Sequence, residues 1–212
     1  MPLAPAEPMP TRLLDSLRSK AIDWELILAT TLNCRFPVAK DVIECQSLPG
    51  RGLQQNAAAA RAKGQWLWFL HADSTLSPNA VQQVACFSRG APSLGYADLR
   101  FAADGPALAR LNAMGANLRS RLLGLPYGDQ GLCLPAAWFR KLGGFREDLD
   151  RGEDLDLVVR AKAGGLQVRR MGLTITTSAR RYRDRGWLRT TIQHQLNAIR
   201  LVRQARNGGQ PP

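Results

Sequence analysis

The sequence predicts an α/β domain with a mostly parallel central sheet and helices on both faces. Three observations carry that prediction. Strand-like and helix-like patterns alternate through the first half of the chain, and such alternation builds parallel sheets through crossover helices. The stretch "QWLWFLHADSTL" (residues 65–76) drives a short apolar, aromatic-rich run into His71, Ala72 and Asp73, as a buried strand does at its carboxyl end. The helical stretches also stop at glycines, at Gly64 and at Gly164–Gly165.

The elements follow in order. "TRLLDSLRSKA" spaces Leu13, Leu14, Leu17 and Ala21 for a short helix, and "DWELILATT" is a strand ending in small polar residues. A second short strand is expected over 42–45, then a glycine-rich turn over 48–52. "LQQNAAAARAKG" is a helix of strong formers. After the strand at 66–70 come a loop, "HADSTLSP", and a helix, "SPNAVQQVACFSRG". "GYADLRFA" is a strand and "PALARLNAMGANLRSRLLG" a long amphipathic helix. Turn chemistry marks 127–131 and Gly143–Gly144. "GEDLDLVVRAKAGG" opens with acids and reads as a helix, residues 173–177 as a strand, and "WLRTTIQHQLNAIRLVRQAR" as a basic amphipathic helix. A chain of 212 residues without a clear linker is one domain, expected over 12–205, with a disordered Pro-rich start (1–11) and a disordered tail (206–212).

Composition narrows the function classes. No apolar run is long enough to cross a membrane. The start "MPLAPAEPMP" lacks the basic and apolar regions of a secretory signal, and four scattered cysteines without a CxxC pair offer neither a zinc site nor a redox pair. A cytoplasmic location is the expectation. The net charge of +12 suits nucleic acid, an anionic membrane surface or a phosphate-bearing small molecule. The aromatics sit in apolar runs, not between arginines, so nucleic acid is not expected as a partner.

Ligands of open α/β sheets sit beyond the carboxyl ends of strands. That placement makes His71 and Asp73 candidates for a ligand or metal; the competing reading is a cap for the following helix. Glu153 and Asp154 suit a first helical turn through the macrodipole, and equally suit a general base. Asp129 and Gln130 lie between glycines in "YGDQG", where backbone and ligand can approach closely or an ordinary turn can form. Arg180 and Arg181 in "TSARRYRDRG" suit a diphosphate, or a solvated basic loop. Arg51 precedes a helix N-terminus, itself favourable to phosphate. Together these pieces suggest glycosyl transfer from a nucleotide sugar: a metal and arginines hold the diphosphate while a carboxylate deprotonates an acceptor.

Four segments, "GRGLQQNAAAARAKGQWLWFLHADSTLSP", "PYGDQGLCLPAAWFRKLGGF", "GEDLDLVVRAKAGG" and "TSARRYRDRGWLRTT", stand in this order. They resemble the family 2 glycosyltransferases of the GT-A fold. More narrowly, they resemble a small bacterial subgroup found beside radical-SAM/selenodomain proteins, some linked to arsenosugar biosynthesis. The resemblance covers about residues 24–203 and implies a GT-A-like domain that uses a UDP- or GDP-sugar, a hydroxyl acceptor and Mg or Mn. Asp73, with His71 in place of the family's first Asp, would hold the metal. Asp154 would be the base, assisted by Glu153. Asp129 and Gln130 would lie on the acceptor side, and Arg51, Asn56, Arg180 and Arg181 on the donor side.

The sequence also departs from the family. The apolar first strand is absent before "MPLAPAEPMPTRLLDSL", so a truncated first strand and exposed sheet edges are expected. "WELILATTLN" offers Thr30, Thr31 and Asn33 where the family has a uridine-gripping Asp. A degenerate, non-catalytic scaffold acting by binding is the alternative. The C-terminal helix, with Leu196, Ile199 and Val202 among arginines, suits either peripheral contact with an anionic membrane or packing on its own domain. His194 reads as a packing or surface histidine.

Overall fold

Successive residues of the run that begins at Trp66 serve two cores. Trp66 and Trp68 pack against one buried cluster and Leu67 and Phe69 belong to another, as period-two alternation in a strand covered on both faces requires. The computed structural model describes residues 1–4, 7–18, 24–32, 36, 39–149 and 151–180. The chain forms α1 (Thr11–Leu17), β1 (Leu26–Thr31), β2 (Val42–Ser47), α2 (Arg51–Arg61), β3 (Trp66–Trp68), β4 (Thr75–Leu76) and α3 (Ala80–Ser88). It continues with β5 (Ser93–Phe101), α4 (Ala109–Leu123), a 3-10 turn (Gly128–Gln130), β6 (Cys133–Pro135), α5 (Ala136–Lys141), α6 (Glu153–Ala163) and β7 (Gln167–Thr177).

The architecture is mixed α/β, a central sheet with helices, as expected. β1 and β2 pair parallel as a sheet of their own, and the other five strands run β3-β6-β5-β7-β4. Both long ladders, β1–β2 and β5–β7, are parallel. The short pairings β3–β6, β5–β6 and β4–β7 are antiparallel. β4, only two residues long, lies in the segment expected to be a loop, and β6, three residues long, and α5 lie between the two expected turns, where the sequence pattern names no element. β7 begins at Gln167, six residues before the expected start; its exposed Arg169, Arg170 and Gly172 conceal the strand pattern.

Helices cover both faces. α1 and α3 supply Leu13, Leu14, Leu17, Val81 and Val84 to a core shared with β1, β2 and β7. α5 and α6 supply Phe139, Leu157, Val158 and Ala161 to the opposite core, where Phe69, Phe139 and Phe145 meet with ring centroids 4.9–5.3 Å apart.

The expectation of a disordered start also needs correcting. Residues 1–3 run parallel beside β1: Leu3 N–H donates to Ala29 O and Ala29 N–H to Met1 O, both at 2.8 Å. Leu3 is completely buried, and Gln54 Nε2 donates at 3.0 Å to both Leu3 O and Ala29 O. The β1 edge expected to be exposed is therefore covered along this stretch by residues 1–3. The tail 206–212, Arg181, His194 and the expected C-terminal helix lie outside the described residues, as does Asn33.

Candidate functional site

Register brings the carboxyl ends of several strands together. β6 runs antiparallel to β3 with Trp68 opposite Cys133, and Phe69 N–H donates to Leu132 O at 2.8 Å. The residues leaving β3 and those entering β6 therefore lie side by side, which places 71–73 near 128–130. β4 pairs Thr75 with Thr176, so the turn before it lies at the carboxyl end of β7, where 178–180 follow.

Asp129 marks the centre of this edge. Its Oδ1 is buried without a hydrogen-bond partner. Burial, and next the charge of Asp154, push its carboxyl up to about 6; Arg119 and Arg51 oppose the rise, and Asp73 adds to it. Asp73, Asp154, Arg51 and Arg119 thus all stand within electrostatic reach of one carboxyl.

Asp154, the second residue of α6, is half-buried. Its Oδ2 accepts the Gly128 N–H and its Oδ1 accepts the Leu155 N–H at 2.8 Å. A Cβ at Gly128 would stand 2.8 Å from Asp154 Oδ2, so the sequence needs glycine there to let the turn approach the carboxylate. Gly131 closes the turn at φ +63°, against Trp68, Leu70 and Ile175.

Glu153 is 3% exposed and faces inward. Its Oε1 lies 3.7 Å from Arg51 Nε, an ion pair beyond hydrogen-bond range. Burial, then Asp154, raise its carboxyl above the usual range, against the pull of Arg51. Arg51 is the first residue of α2 and not a residue before it, so its guanidinium links the start of α2 to the start of α6.

Asp73 is exposed on the turn after β3, and His71 is half-buried on the same turn, with its carbonyl accepting the Ser74 N–H at 3.1 Å. α3 takes Asn79 as its N-cap residue, so Asp73 does not cap that helix. Among the described residues, no group of three or more His, Cys, Asp or Glu could hold a metal ion. The donor set suits a hard cation only in part: one exposed carboxylate and an imidazole leave most positions to phosphate oxygens and water, as is common for Mg.

Two expected site residues make hydrogen bonds within the fold. Gln130 is completely buried; its Nε2 donates to Ala97 O at 3.0 Å, and its Oε1 accepts from Ser120 Oγ at 2.7 Å and Tyr127 N at 3.2 Å. It offers no surface to an acceptor. Asn56 clips the loop after α5 to α2: Oδ1 accepts the Phe145 N–H at 2.9 Å, and Nδ2 donates to Phe145 O and Glu147 Oε1 at 2.8 Å. Both ends of its amide are hydrogen-bonded to the protein.

Arg180 stands at a separate corner of the same edge. Its Nε donates to Ser178 Oγ at 2.9 Å, and Ser178 Oγ donates to Asp104 Oδ2 at 2.5 Å. Burial works against the Asp104 charge, but the Ser178 hydroxyl, the Ala179 N–H and Arg180 outweigh it and hold this carboxyl below its ordinary value. Sequence reasoning missed Arg119, whose guanidinium stacks 3.5 Å from the Tyr127 ring centre and donates to Leu125 O at 2.8 Å. Only its place in a basic helix hinted at it.

The fold is mixed α/β with a central sheet and helices, and it matches structures of the GT-A-like fold. Among the solved structures that the chain matches are three of TarS from S. aureus. TarS 1–349 in complex with UDP is 14% identical with a TM-score of 0.62, covering 84% of this chain and 59% of that one. TarS 1–349 gives 14%, 0.59, 84% and 56%, and TarS gives 15%, 0.56, 84% and 34%. The chain therefore spans between about a third and three-fifths of the length of these structures. No protein-family profile matches the chain, and no curated protein matches it by sequence.

Proposed function

We propose that the chain transfers a sugar from a nucleoside-diphosphate sugar to a hydroxyl acceptor, with inversion at the anomeric carbon and assistance from Mg or Mn. The observation that carries this reading is the convergence of Asp73, Asp129, Asp154 and Arg51 at one sheet edge, with a buried, unpartnered oxygen on Asp129. The likeness of fold to a UDP-bound structure supports a nucleotide donor. The sequence segments resemble family 2 glycosyltransferases and the small bacterial subgroup named above, and a cytoplasmic location accompanies that reading.

Asp154 acts as general base. Its oxygens are held by the Gly128 and Leu155 N–H groups, which fix the carboxylate while leaving a lone pair for the acceptor hydroxyl. It takes the hydroxyl proton as the acceptor oxygen bonds to the anomeric carbon and the bond to the diphosphate oxygen breaks. Glu153 is too buried to touch substrate and positions Arg51. Arg51 and Arg180, with Arg181, bind phosphate oxygens. Asp129 lies on the acceptor side, where its raised pKa lets it keep a proton below about pH 6. Asp73, with His71, would hold the divalent cation, which when bound offsets charge on the leaving diphosphate.

A second reading, a non-catalytic scaffold, is favoured by one observation. Thr30 Oγ1, near the end of β1, donates to Glu44 at 3.0 Å, and the Thr30–Thr31 end of that strand carries no carboxylate for a nucleoside. Calorimetry with UDP, with and without Mn, tests both readings, with Asp73→Ala as control. Mn-dependent binding lost in the variant supports the donor site, and release of UDP from a UDP-sugar supports catalysis. Binding without turnover over a screen of donors and acceptors favours the scaffold. If neither UDP nor GDP binds, the donor-site reading falls.

A further inference from the structure

α4 is built inside out. Its buried face is Ala109, Ala113, Ala116 and Ser120, while Leu108, Leu111, Met114, Leu118, Leu122 and Leu123 are 49–73% exposed. With 3.6 residues per turn, Leu108, Leu111, Met114, Leu118 and Leu122 fall on about one third of the circumference, opposite the alanines. A helix of a water-soluble surface ordinarily buries its leucines. Such a stripe marks an interaction surface.

The helix cannot roll to hide these side chains. Asn117 clasps the β5 backbone at both ends of its amide: Oδ1 accepts the Leu99 N–H at 2.8 Å and Nδ2 donates to Leu99 O at 2.9 Å. Ser120 Oγ donates to the buried Gln130 at 2.7 Å. Turning α4 would break these bonds and leave buried polar groups unpaired.

The surroundings of the stripe are cationic. Residues 106–124 hold Arg110, Arg119 and Arg121 and no acid. Arg121 and Arg170, each about half exposed, both pair with Asp98, leaving one positive charge in excess. Lys162 reaches the Leu123 carbonyl at the far end of the helix. We propose that α4 is a docking helix for an anionic membrane surface, its leucines in the acyl boundary and Arg110, Arg121, Arg170 and Lys162 at the headgroups. The charge pattern disfavours a second copy of the chain, because two-fold pairing of this face would set arginine against arginine without an acid on either helix. α4 also carries Arg119, which stacks on Tyr127 beside Asp129. A docked helix would therefore bring the Asp129 side of this sheet edge close to the lipid surface, suited to an amphiphilic acceptor.

The test is flotation of the full chain with vesicles of phosphatidylcholine alone and of phosphatidylcholine mixed with phosphatidylglycerol. Leu111→Ser, Leu118→Ser and Arg110→Glu are compared with Leu196→Ser and Ile199→Ser in the C-terminal segment. Binding to the mixed vesicles is expected, weaker on neutral ones and weaker at high salt. Each α4 leucine substitution should lower the partition coefficient by about tenfold, the effect of losing one buried leucine. UDP binding of the same variants should be unchanged, so a failed donor site and a failed membrane site give different results. Three results would overturn the proposal: no flotation of the parent chain, flotation lost only in the Leu196 and Ile199 variants, or Leu118→Ser converting a sedimenting dimer to a monomer.

Discussion

The Gly128 backbone N–H donates to Asp154 Oδ2, and a Cβ on residue 128 would lie 2.8 Å from that oxygen. The contact joins the 3-10 turn before β6 to the first residues of α6, across 26 positions of sequence. Gly128→Ala must push the carboxylate or the turn aside, because the separation is far below normal carbon–oxygen contact. If Asp154 is the base, turnover should fall by about a hundredfold or more, in line with the worth of a positioned base. UDP affinity should stay within about twofold, since the residues proposed to meet the donor do not include Gly128 or Asp154. Steady-state kinetics beside UDP calorimetry separates the two. Equal losses in both would mean that the turn supports the donor site rather than the base.

Asp129 should make stability depend on pH in the direction opposite to an ion-paired carboxylate. Its folded pKa is about 6 against an ordinary 3.8, so between these values the folded state holds the proton more tightly than the unfolded state. Stability is favoured at low pH and declines as pH rises from about 4 to about 6, by at most about 3 kcal/mol. Asp129→Asn removes that decline and should raise the midpoint of urea unfolding at pH 7 in the absence of divalent cations. Urea titrations at several pH values check it; a parent chain gaining stability across this window, with the Asn variant unchanged from it, would contradict the assignment.

The long periodic elements were legible because their signals are local. The alanine-rich α2, the acid-led α6 and the aromatic run at β3 each carry enough residues to show a period. β4 and β6, with two and three residues, cannot show one, so the antiparallel pairings that complete the five-stranded sheet were invisible. The carboxylates Asp73, Asp129 and Asp154 stood out as acids in a basic chain, and the structure brings them to one edge. The partners of Asn56 and Gln130 are remote and so invisible in the sequence: Phe145 lies 89 positions from Asn56, and Ala97 lies 33 from Gln130. A polar residue beside a motif looks alike in sequence whether it meets a ligand or a backbone carbonyl. Arg119 was missed for the converse reason: its surroundings at Tyr127 and Asp129 exist only after α4 is packed.

Gln130→Leu and Asn56→Ala should therefore act on stability. Loss of the Gln130 amide leaves Ala97 O and Tyr127 N–H without that partner, while Ser120 Oγ keeps Ala116 O, and loss of Asn56 frees both polar groups of Phe145. Each substitution orphans two groups and should cost about 2–6 kcal/mol, at about one to three kcal/mol for each. At a temperature where the variants remain folded, the acceptor KM of Gln130→Leu and the UDP affinity of Asn56→Ala should match the parent. A variant of normal stability with a raised KM or weakened UDP binding would restore that residue to the site.

Arg119 lowers the pKa of Asp129 from the side of α4, opposing burial and the charge of Asp154. Arg119→Ala removes the nearby cation, so the Asp129 carboxyl should rise further above 6 and the pH-dependent decline in stability should extend to higher pH. Arg119→Lys keeps a positive charge but loses the planar stack on Tyr127, and should restore the window only in part. The double variant Arg119→Ala with Asp129→Asn should show no displaced window, because the group that titrates is gone. Urea titrations of the three variants across pH decide between an electrostatic role and a packing role. A uniform loss of stability in Arg119→Ala, unchanged by Asp129→Asn, would mean that the guanidinium serves only as packing for Tyr127.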